Sequence, residues 1–401
     1  MLDKSIYNIS HDICTGCKMC EDICSRNAIS FRISKGFWYP YVDERLCVNC
    51  GLCSKKCPVL HTTSPVSGPI ACYGAKSKDE IVRWNSTSGG FFSEFAKQVI
   101  KENGFCAGAV YTSNNEIVHE IGNEYSIIER LRQSKYAQSN TKGIYRNVKS
   151  LLSSGELVLF CGCACQVEAL KAFLGKTYNN LLTMDFICLG ICSPVVYRKY
   201  LDSLELKYNS KVTRVWFKNK SAGWNSVGVR LDFANGKKYF RTGNRDLFMV
   251  AFTGDTISVR KNCESCRFRK IPHNSDFTVA DFWGIEKVQP SKNDNLGWSA
   301  VFVNTEKGNE WFHKISNHLD YFETTSDTIV AGNFTALKPK IAGENRDLFL
   351  DEIEYLSLDQ AIEKYSKVYS GWNKMKVDFN YYKQQIKRHL KVFLKIEHGK
   401  S

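Results

Sequence analysis

The residues in this chain that carry chemistry begin with eight cysteines. They read Cys14-x2-Cys17-x2-Cys20-x3-Cys24 and, after 22 intervening residues, Cys47-x2-Cys50-x2-Cys53-x3-Cys57-Pro58. Three cysteines spaced two residues apart wrap one cubane from a tight loop, and a distant fourth closes it from the far side. Two such runs make the bacterial two-cluster pattern, in which the fourth cysteine of each run ligates the other run's cluster. The spacing predicts one [4Fe–4S] cluster on Cys14, Cys17, Cys20 and Cys57, and a second on Cys47, Cys50, Cys53 and Cys24. Zinc sites would use CxxC pairs, and a disulfide framework would need an oxidising compartment that nothing indicates. Ser25, not proline, follows Cys24, a change in the turn that leaves the ligands in place.

Further thiols lie downstream. Leu159-Phe-Cys161-Gly-Cys163-Ala-Cys165-Gln166 sits where a strand hands over to a helix, and the next apolar strand ends at Asp185-Phe-Ile-Cys188-Leu-Gly190. In open α/β sheets ligands collect at the carboxyl ends of strands. Cys263-x2-Cys266 follows in a loop. Together these thiols suffice for a third metal centre; the alternative is that they are buried and idle. Asn85-Ser86-Thr-Ser88-Gly89-Gly90 precedes a helical pattern, so its backbone N–H groups suit an anion such as a cofactor phosphate, unless Ser88 merely caps the helix. Thr278-Val-Ala-Asp281-Phe-Trp283-Gly284 has the composition of a flavin border, and equally of a core aromatic pair beside a loop aspartate. Ser134-Lys135-Tyr136 with Ser139, taken alone, reads as a solvated loop.

The elements that position these residues fall into two groups. Residues 1–60 form an α+β ferredoxin-like module with a hairpin around Lys35-Gly36, followed by a Pro/Gly/Ser-rich linker over 58–69. From Ala71 the pattern is α/β, in two parts: 71–150, and 151–345 with the downstream cysteines. Helices are expected over 89–103, 141–153, 164–174 and 194–208, and strands over 105–111, 157–160, 181–187, 277–282 and 299–304. Strands over 211–218, 227–233 and 237–241, with an Asn235-Gly236 turn, read as an antiparallel insertion in a mixed sheet. Residues 346–401 read as a helical, basic tail.

Composition narrows the class. The 401 residues are 43% hydrophobic and 24% charged, ordinary for a globular protein with a sizeable core. Seventeen cysteines are too many for packing alone, and thiolate ligation explains them. No secretory signal opens the chain, and no run of about 18 apolar residues appears, so the expected location is cytoplasmic. A net charge of +14 suits nucleic acid, an anionic membrane or an acidic protein partner. No nucleic-acid motif accompanies it, which disfavours an iron–sulfur nucleic-acid binder.

Jointly, Ser86–Gly90, Ser134–Tyr136 with Ser139, Cys165-Gln-Val167, Asp185–Gly190, Cys263-x2-Cys266 and 276–284 make the body resemble the coenzyme F420 hydrogenase/dehydrogenase beta-subunit family. That family includes ferredoxin-dependent 7-hydroxymethyl chlorophyll a reductase. The likeness spans residues 71–286 and weakens toward 345. It implies an iron–sulfur flavoprotein oxidoreductase. A cluster would lie on Cys165, Cys188, Cys263 and Cys266. FAD would lie against Ser86, Ser88, Gly89, Gly90, Ser134, Lys135, Tyr136, Ser139 and Asp281. Two departures stand out. The family's Gly-Thr-Pro-Cys is here Gly162-Cys163-Ala164-Cys165, and its Cys-His-Gly is Cys188-Leu189-Gly190. Cys161, Cys163 and Cys192 leave the fourth ligand open.

The expected activity follows from electron counting. Clusters move single electrons, whereas an organic acceptor or hydride carrier such as coenzyme F420 takes two, and a flavin converts one into the other. The expected partners are a ferredoxin or another electron-transfer protein and an organic substrate. The rival reading is a non-catalytic electron-transfer subunit. At the C-terminus, Phe379, Tyr382, Ile386, Leu390 and Phe393 form an apolar stripe opposite Lys383, Lys387, Arg388, Lys391 and Lys395. Such a helix lies on an anionic membrane or packs on the protein's own body; an aromatic stripe favours the body.

Overall fold

A hairpin and two short helices build the cysteine-rich segment. In the computed structural model, which describes residues 3–61, 68–369, 375, 379 and 383, helix α1 is Met19–Ile23, strand β1 Ile29–Ser34, β2 Phe37–Val42 and α2 Leu52–Lys55. β1 and β2 pair antiparallel around Lys35 and Gly36, both at positive φ as a tight two-residue hairpin turn requires. Phe37 and Tyr39 share the inward face of β2, and Val42 is buried at its end.

The body contributes, in chain order, β3 (Ala71–Ser77), α3 (Glu80–Asn85), α4 (Phe91–Lys101), β4 (Phe105–Tyr111), β5 (Ile117–Gly122), α5 (Tyr125–Leu131), α6 (Ile144–Ser153), β6 (Val158–Cys161), α7 (Ala164–Leu174), β7 (Leu181–Phe186) and α8 (Pro194–Tyr208). An inserted sheet of β8 (Val212–Asn219), β9 (Gly228–Phe233) and β10 (Lys238–Thr242) follows, then β11 (Phe277–Asp281), β12 (Ser299–Val303) and β13 (Leu319–Glu323). Eight strands form one mixed sheet in the order β13-β3-β12-β11-β7-β6-β4-β5, and the insertion is a separate antiparallel sheet in the order β10-β9-β8. β4, β6, β7 and β11 are parallel neighbours. Both faces of such strands are covered, so β6 reads as an unbroken apolar run, and in β7 even Thr183 and Asp185 are buried among apolar neighbours.

The expected elements occur with ends moved by a few residues. On α4 Phe91, Phe95, Ala96 and Val99 are among the fully buried positions; Phe92, placed on the apolar face by periodicity, is only half-buried and turns toward a cavity. The strands not anticipated include β5 and β13, the two edges of the large sheet. Edge strands carry polar residues outward (Glu120; Asp320, Glu323) and so give a weak apolar signal. The helices Arg346–Glu352 and Leu358–Tyr365 place Phe349, Leu350, Leu358 and Ile362 in the same core as α8 and the inserted sheet. The chain up to Tyr365 is therefore packed rather than a free tail. The apolar stripe further on lies outside the described residues except for Phe379, which is 68% exposed. No described helix is long and apolar enough to cross a membrane.

One apolar cluster runs through both parts, joining Met19, Cys20 and Cys57 to Tyr145, Phe160 and Cys165. Polar bonds fix the seam. The Asp22 carboxylate accepts from the N–H groups of Gly143 (2.7 Å) and Tyr145 (3.2 Å), capping α6 from the other module. Thr141 and Tyr145 hydroxyls both donate to the Cys17 carbonyl, at 2.7 and 2.9 Å. The fully buried Arg260 donates to the Cys14 carbonyl at 2.8 Å and lies over the Tyr39 ring at 4.1 Å. Gly16 has φ +66, and a Cβ there would run into the Gln138 amide. The left-handed backbone favours glycine there, and a larger residue would also push the Gln138 amide aside.

Candidate iron–sulfur and cofactor site

In the N-terminal module Cys14, Cys20, Cys53 and Cys57 are buried, Cys17, Cys24 and Cys47 half-buried, and Cys50 exposed. Burial pushes the Cys17 thiol up to about 12, with Cys57 and Cys14 adding to the effect. Cys20 is raised by burial and by Cys17, Cys14 and Cys57. Cys57, 33 positions beyond Cys24 in the sequence, thus shares its electrostatic neighbourhood with the first run. α1 packs on α2, which brings the runs together. The first run faces the seam. The second faces outward, with Val48 62%, Leu46 45% and Leu52 39% exposed around Cys50.

The parallel strands deliver the other cysteines. Cys163 and Cys165 follow β6, and Cys188 follows β7. Cys263 and Cys266 come from a loop ahead of β11 whose 3-10 turn spans Lys261–Ser265. All five line one small cavity of about 30 Å³, closed by Phe268, Arg269 and His273. Burial, then Cys188, raises the Cys263 thiol, and burial, then Cys165, raises Cys266 to about 11. The hydrogen bond from Cys163 is the first cause that brings Cys188 down to about 7, with Arg269 and His273 assisting against burial. Cys161 and Cys192 stand apart: Cys161 lines the neighbouring cavity, and Cys192 hydrogen-bonds Ser258 at 3.1 Å in the core. Among the described residues no three His, Cys, Asp or Glu side chains close on one point as a single ion would need. A cubane takes its thiolates at separate iron corners, so a soft, four-thiolate set fits an iron–sulfur cluster here.

The second cavity, of 390 Å³, shares the wall formed by Cys163, Ile187, Cys188 and Gly190. Every residue the sequence assigned to a flavin lines it except Gly89. Gly89 backs onto the sheet: its N–H donates to Ser299 Oγ at 3.1 Å, and a Cβ would run into the Ala75 carbonyl. Ser88 does not cap α4; its hydroxyl donates to the Trp298 carbonyl, and Gly90, at φ +93, is the uncapped N-terminal residue. The N-terminus of α4 therefore borders the cavity with its backbone N–H groups unclaimed by a side chain. Thr87 and Ser134 hydroxyls meet at 3.1 Å, and Ser139 accepts from Gln166 at 3.1 Å. Tertiary structure thus gathers three motifs that are separate in sequence. The Lys135 ammonium is spent on the carbonyls of Leu131, Arg132 and Gln133, ending α5, and burial lowers it to about 7.

Several residues here escaped the sequence reading. Lys218 lies at a register shift between Trp216 and Asn219 in β8 and has φ +52. Such a bulge re-aims a side chain, and Lys218 enters the cavity to pair with Asp281. Burial alone would lower its pKa, but Asp281 and the Tyr136 hydroxyl outweigh burial and hold it charged. Trp224 stacks at 4.3 Å on Trp283, the cavity-wall aromatic of the Thr278–Gly284 motif. His119 and Arg132 also line the cavity; both His119 ring nitrogens and Arg132 Nε are buried without a hydrogen-bond partner among the described residues. Burial, then Lys135, pushes His119 down to about 3. Orphaned donors and acceptors, apolar walls and a volume within the usual range of about 300–1,000 Å³ suit a flat polar cofactor. His273 Nδ1, 2.9 Å from the Asp185 carboxylate, places a histidine beside the cysteines although Leu189 stands where the family has one. The only advance signals for these residues were the Asp185 motif and an unassigned lysine in a predicted strand.

A buried multi-thiol pocket between a ferredoxin-like module and a cavity at the carboxyl ends of parallel strands defines an iron–sulfur electron-transfer protein. Residues 13–60 match the 4Fe-4S dicluster domain, and residues 155–327 match the C terminus of the coenzyme F420 hydrogenase/dehydrogenase beta subunit; the chain carries these two domains in this order, as its motifs implied. The F subunit of F(420)H(2) dehydrogenase from Methanosarcina mazei is 22% identical over 331 residues, 79% of this chain and 86% of that protein. Ferredoxin-type protein NapF of Escherichia coli is 39% identical over 49 residues, 12% of this chain and 30% of that protein. A chain in the F420-reducing [NiFe] hydrogenase complex from Methanosarcina barkeri aligns with TM-score 0.44 and 16% identity, over 75% of this chain and 93% of that one.

Proposed function

We propose that this protein is an iron–sulfur flavoprotein oxidoreductase that passes electrons between a ferredoxin-type partner and an organic acceptor or hydride carrier. The carrying observation is the wall shared by the five-cysteine pocket and the larger cavity, with Tyr145 tying that pocket's helix layer to the first cysteine run. In this reading Cys47, Cys50, Cys53 and Cys24 hold the outer cluster, beside the exposed Val48 and Leu52 where a partner would dock. Cys14, Cys17, Cys20 and Cys57 hold the inner cluster at the seam. Cys165, Cys188, Cys263 and Cys266 hold a third, and Ser86, Ser88, Gly90, Ser134, Tyr136, Ser139 and Asp281 surround FAD. When bound there, a flavin gathers two single electrons for a two-electron acceptor. The residues' own part is to wall one side of the cavity with Trp283 and to hold Lys218 charged beside Asp281 and the Tyr136 hydroxyl, a fixed positive charge facing the site. Coenzyme F420 is one candidate acceptor, because the relatives' names connect them to it.

The second reading, a protein that only hands electrons to another enzyme, draws on the Methanosarcina mazei relative, which is itself one subunit of a dehydrogenase. Anaerobically purified protein decides. The first reading expects about 12 iron atoms, three clusters of four, and one flavin per chain, with viologen-driven turnover of an organic acceptor in the absence of a partner. Flavin-free protein, or reduction with no turnover across the acceptors offered, supports the second.

A further inference from the structure

Arg260 is fully buried at the seam and stands immediately before the turn that carries Cys263. Its Nε donates to the Cys14 carbonyl at 2.8 Å and its Nη1 to Gln138 Oε1 at 3.3 Å. Nη2 is buried with no hydrogen-bond partner among the described residues. The guanidinium lies over the rings of Tyr39, at 4.1 Å, and Phe37, at 5.3 Å. Among the described residues no carboxylate pairs with it. Its own backbone carbonyl accepts from the Cys263 N–H at 3.0 Å. One residue therefore touches the first cysteine loop with its side chain and the body's cysteine turn with its backbone.

A guanidinium keeps its proton inside a protein, and a buried charge is costly unless an opposite charge answers it. Ring faces and neutral carbonyls answer part of it. The group that Cys14 is read to hold answers the rest: a cubane on four thiolates is net negative, and reduction adds one more negative charge. We propose that Arg260 is the buried counter-charge of the inner cluster, a positioning residue whose fixed positive charge raises that cluster's reduction potential. The proposal rests on the reading that Cys14, Cys17, Cys20 and Cys57 hold that cluster. The potential of such a cluster follows the net charge around it, and a neighbouring cation favours the form with one electron more. The electron comes from the ferredoxin-type partner; Arg260 takes no electron and loses no proton. Its contacts are with the first run, so the outer cluster, on the side of the exposed Cys50, feels it less.

The test uses full-length, anaerobically prepared protein and redox titration followed by electron paramagnetic resonance. The inner cluster's signal is identified as the one lost in Cys14→Ser. In Arg260→Met the inner midpoint should fall by the equivalent of about tenfold in the reduction equilibrium, ~59 mV for one electron, while the outer midpoint moves less. Arg260→Lys, which keeps the charge, should return the midpoint toward wild type. Gln138→Glu sets a carboxylate where Oε1 now meets Nη1. It should lower the inner midpoint with Arg260 still in place, which keeps the question decidable if Arg260→Met does not fold. An inner midpoint unmoved in Gln138→Glu would overturn the proposal, as would one that falls as far in Arg260→Lys as in Arg260→Met. If Cys14→Ser keeps every signal and all its iron, the inner-cluster reading itself fails, and the proposal falls with it.

Discussion

The Tyr145 hydroxyl donates to the carbonyl of Cys17 at 2.9 Å, so the first cysteine loop of one module is bonded to the first turn of a helix in the other. The same helix is capped across the seam by Asp22, whose carboxylate takes two of its N-terminal N–H groups. A side-chain cap is worth about 1 kcal/mol, up to ~2. Asp22→Ala should lower stability by about that amount and speed amide exchange at Gly143 and Tyr145, while exchange in β6 and β7 stays as it was. Uniform exchange changes would show that Asp22 does not act at the seam.

Lys218 and Asp281 form an ion pair inside the larger cavity, the aspartate side chain 9% and the lysine side chain 19% exposed. Breaking a buried pair from one side leaves an uncompensated charge and costs on the order of 3 kcal/mol, less where water still reaches one partner. Lys218→Met should be clearly destabilised, and Lys218→Met with Asp281→Asn should regain most of the loss. A double variant as unstable as the sum of the singles would argue against the pairing.

Lys220 is buried and donates to the carbonyls of Arg83 and Ser88, each at 2.7 Å. Burial, then Arg83, lowers it from 10.5 to about 7. Between those values the unfolded chain keeps a proton that the folded chain has released, so stability rises with pH across that window. Denaturant midpoints at pH 7 and pH 9 should therefore increase in wild type. The increase should be smaller in Lys220→Met, which is also less stable at pH 9 because two carbonyls lose their donor. An equal rise in both proteins would exclude Lys220 as the titrating group.

Removal of a ligand separates the cluster sets. Cys263→Ser should leave about two-thirds of the iron, and Cys57→Ser should deplete the N-terminal module while the body cluster survives. Zinc in place of iron in anaerobic preparations would refute both assignments.

Flavin placement is best probed away from Gly89. A side chain there would collide with Ala75 and report on the sheet, not on the cavity. Ser134 lines the cavity from a loop. Ser134→Trp should lose flavin while its iron content and circular dichroism match wild type. Full flavin occupancy in that variant would move the cofactor elsewhere.

Much of this was legible in the chain. The cysteine spacing alone prescribes two tight loops and a cross-ligated pair, because ligand geometry at a cubane is local to a few residues. The apolar run of β6 and the largely apolar Leu181–Phe186 announce buried strands, and the hairpin at Lys35-Gly36 announces itself by its turn residues. What sequence could not supply was convergence. Ser134 and Ser139 read as a solvated loop, yet Thr87 and Gln166 hold them at the cavity wall. Lys218 sat in an ordinary strand pattern until a bulge and a positive φ turned it inward. His273 and Arg260 carried no local signal, since their partners lie 88 and 246 positions away. Local spacing fixes which residues can ligate, because covalent reach is short. Which ligands share a wall depends on long-range packing of a mixed sheet against an inserted one, and only the folded chain decides that.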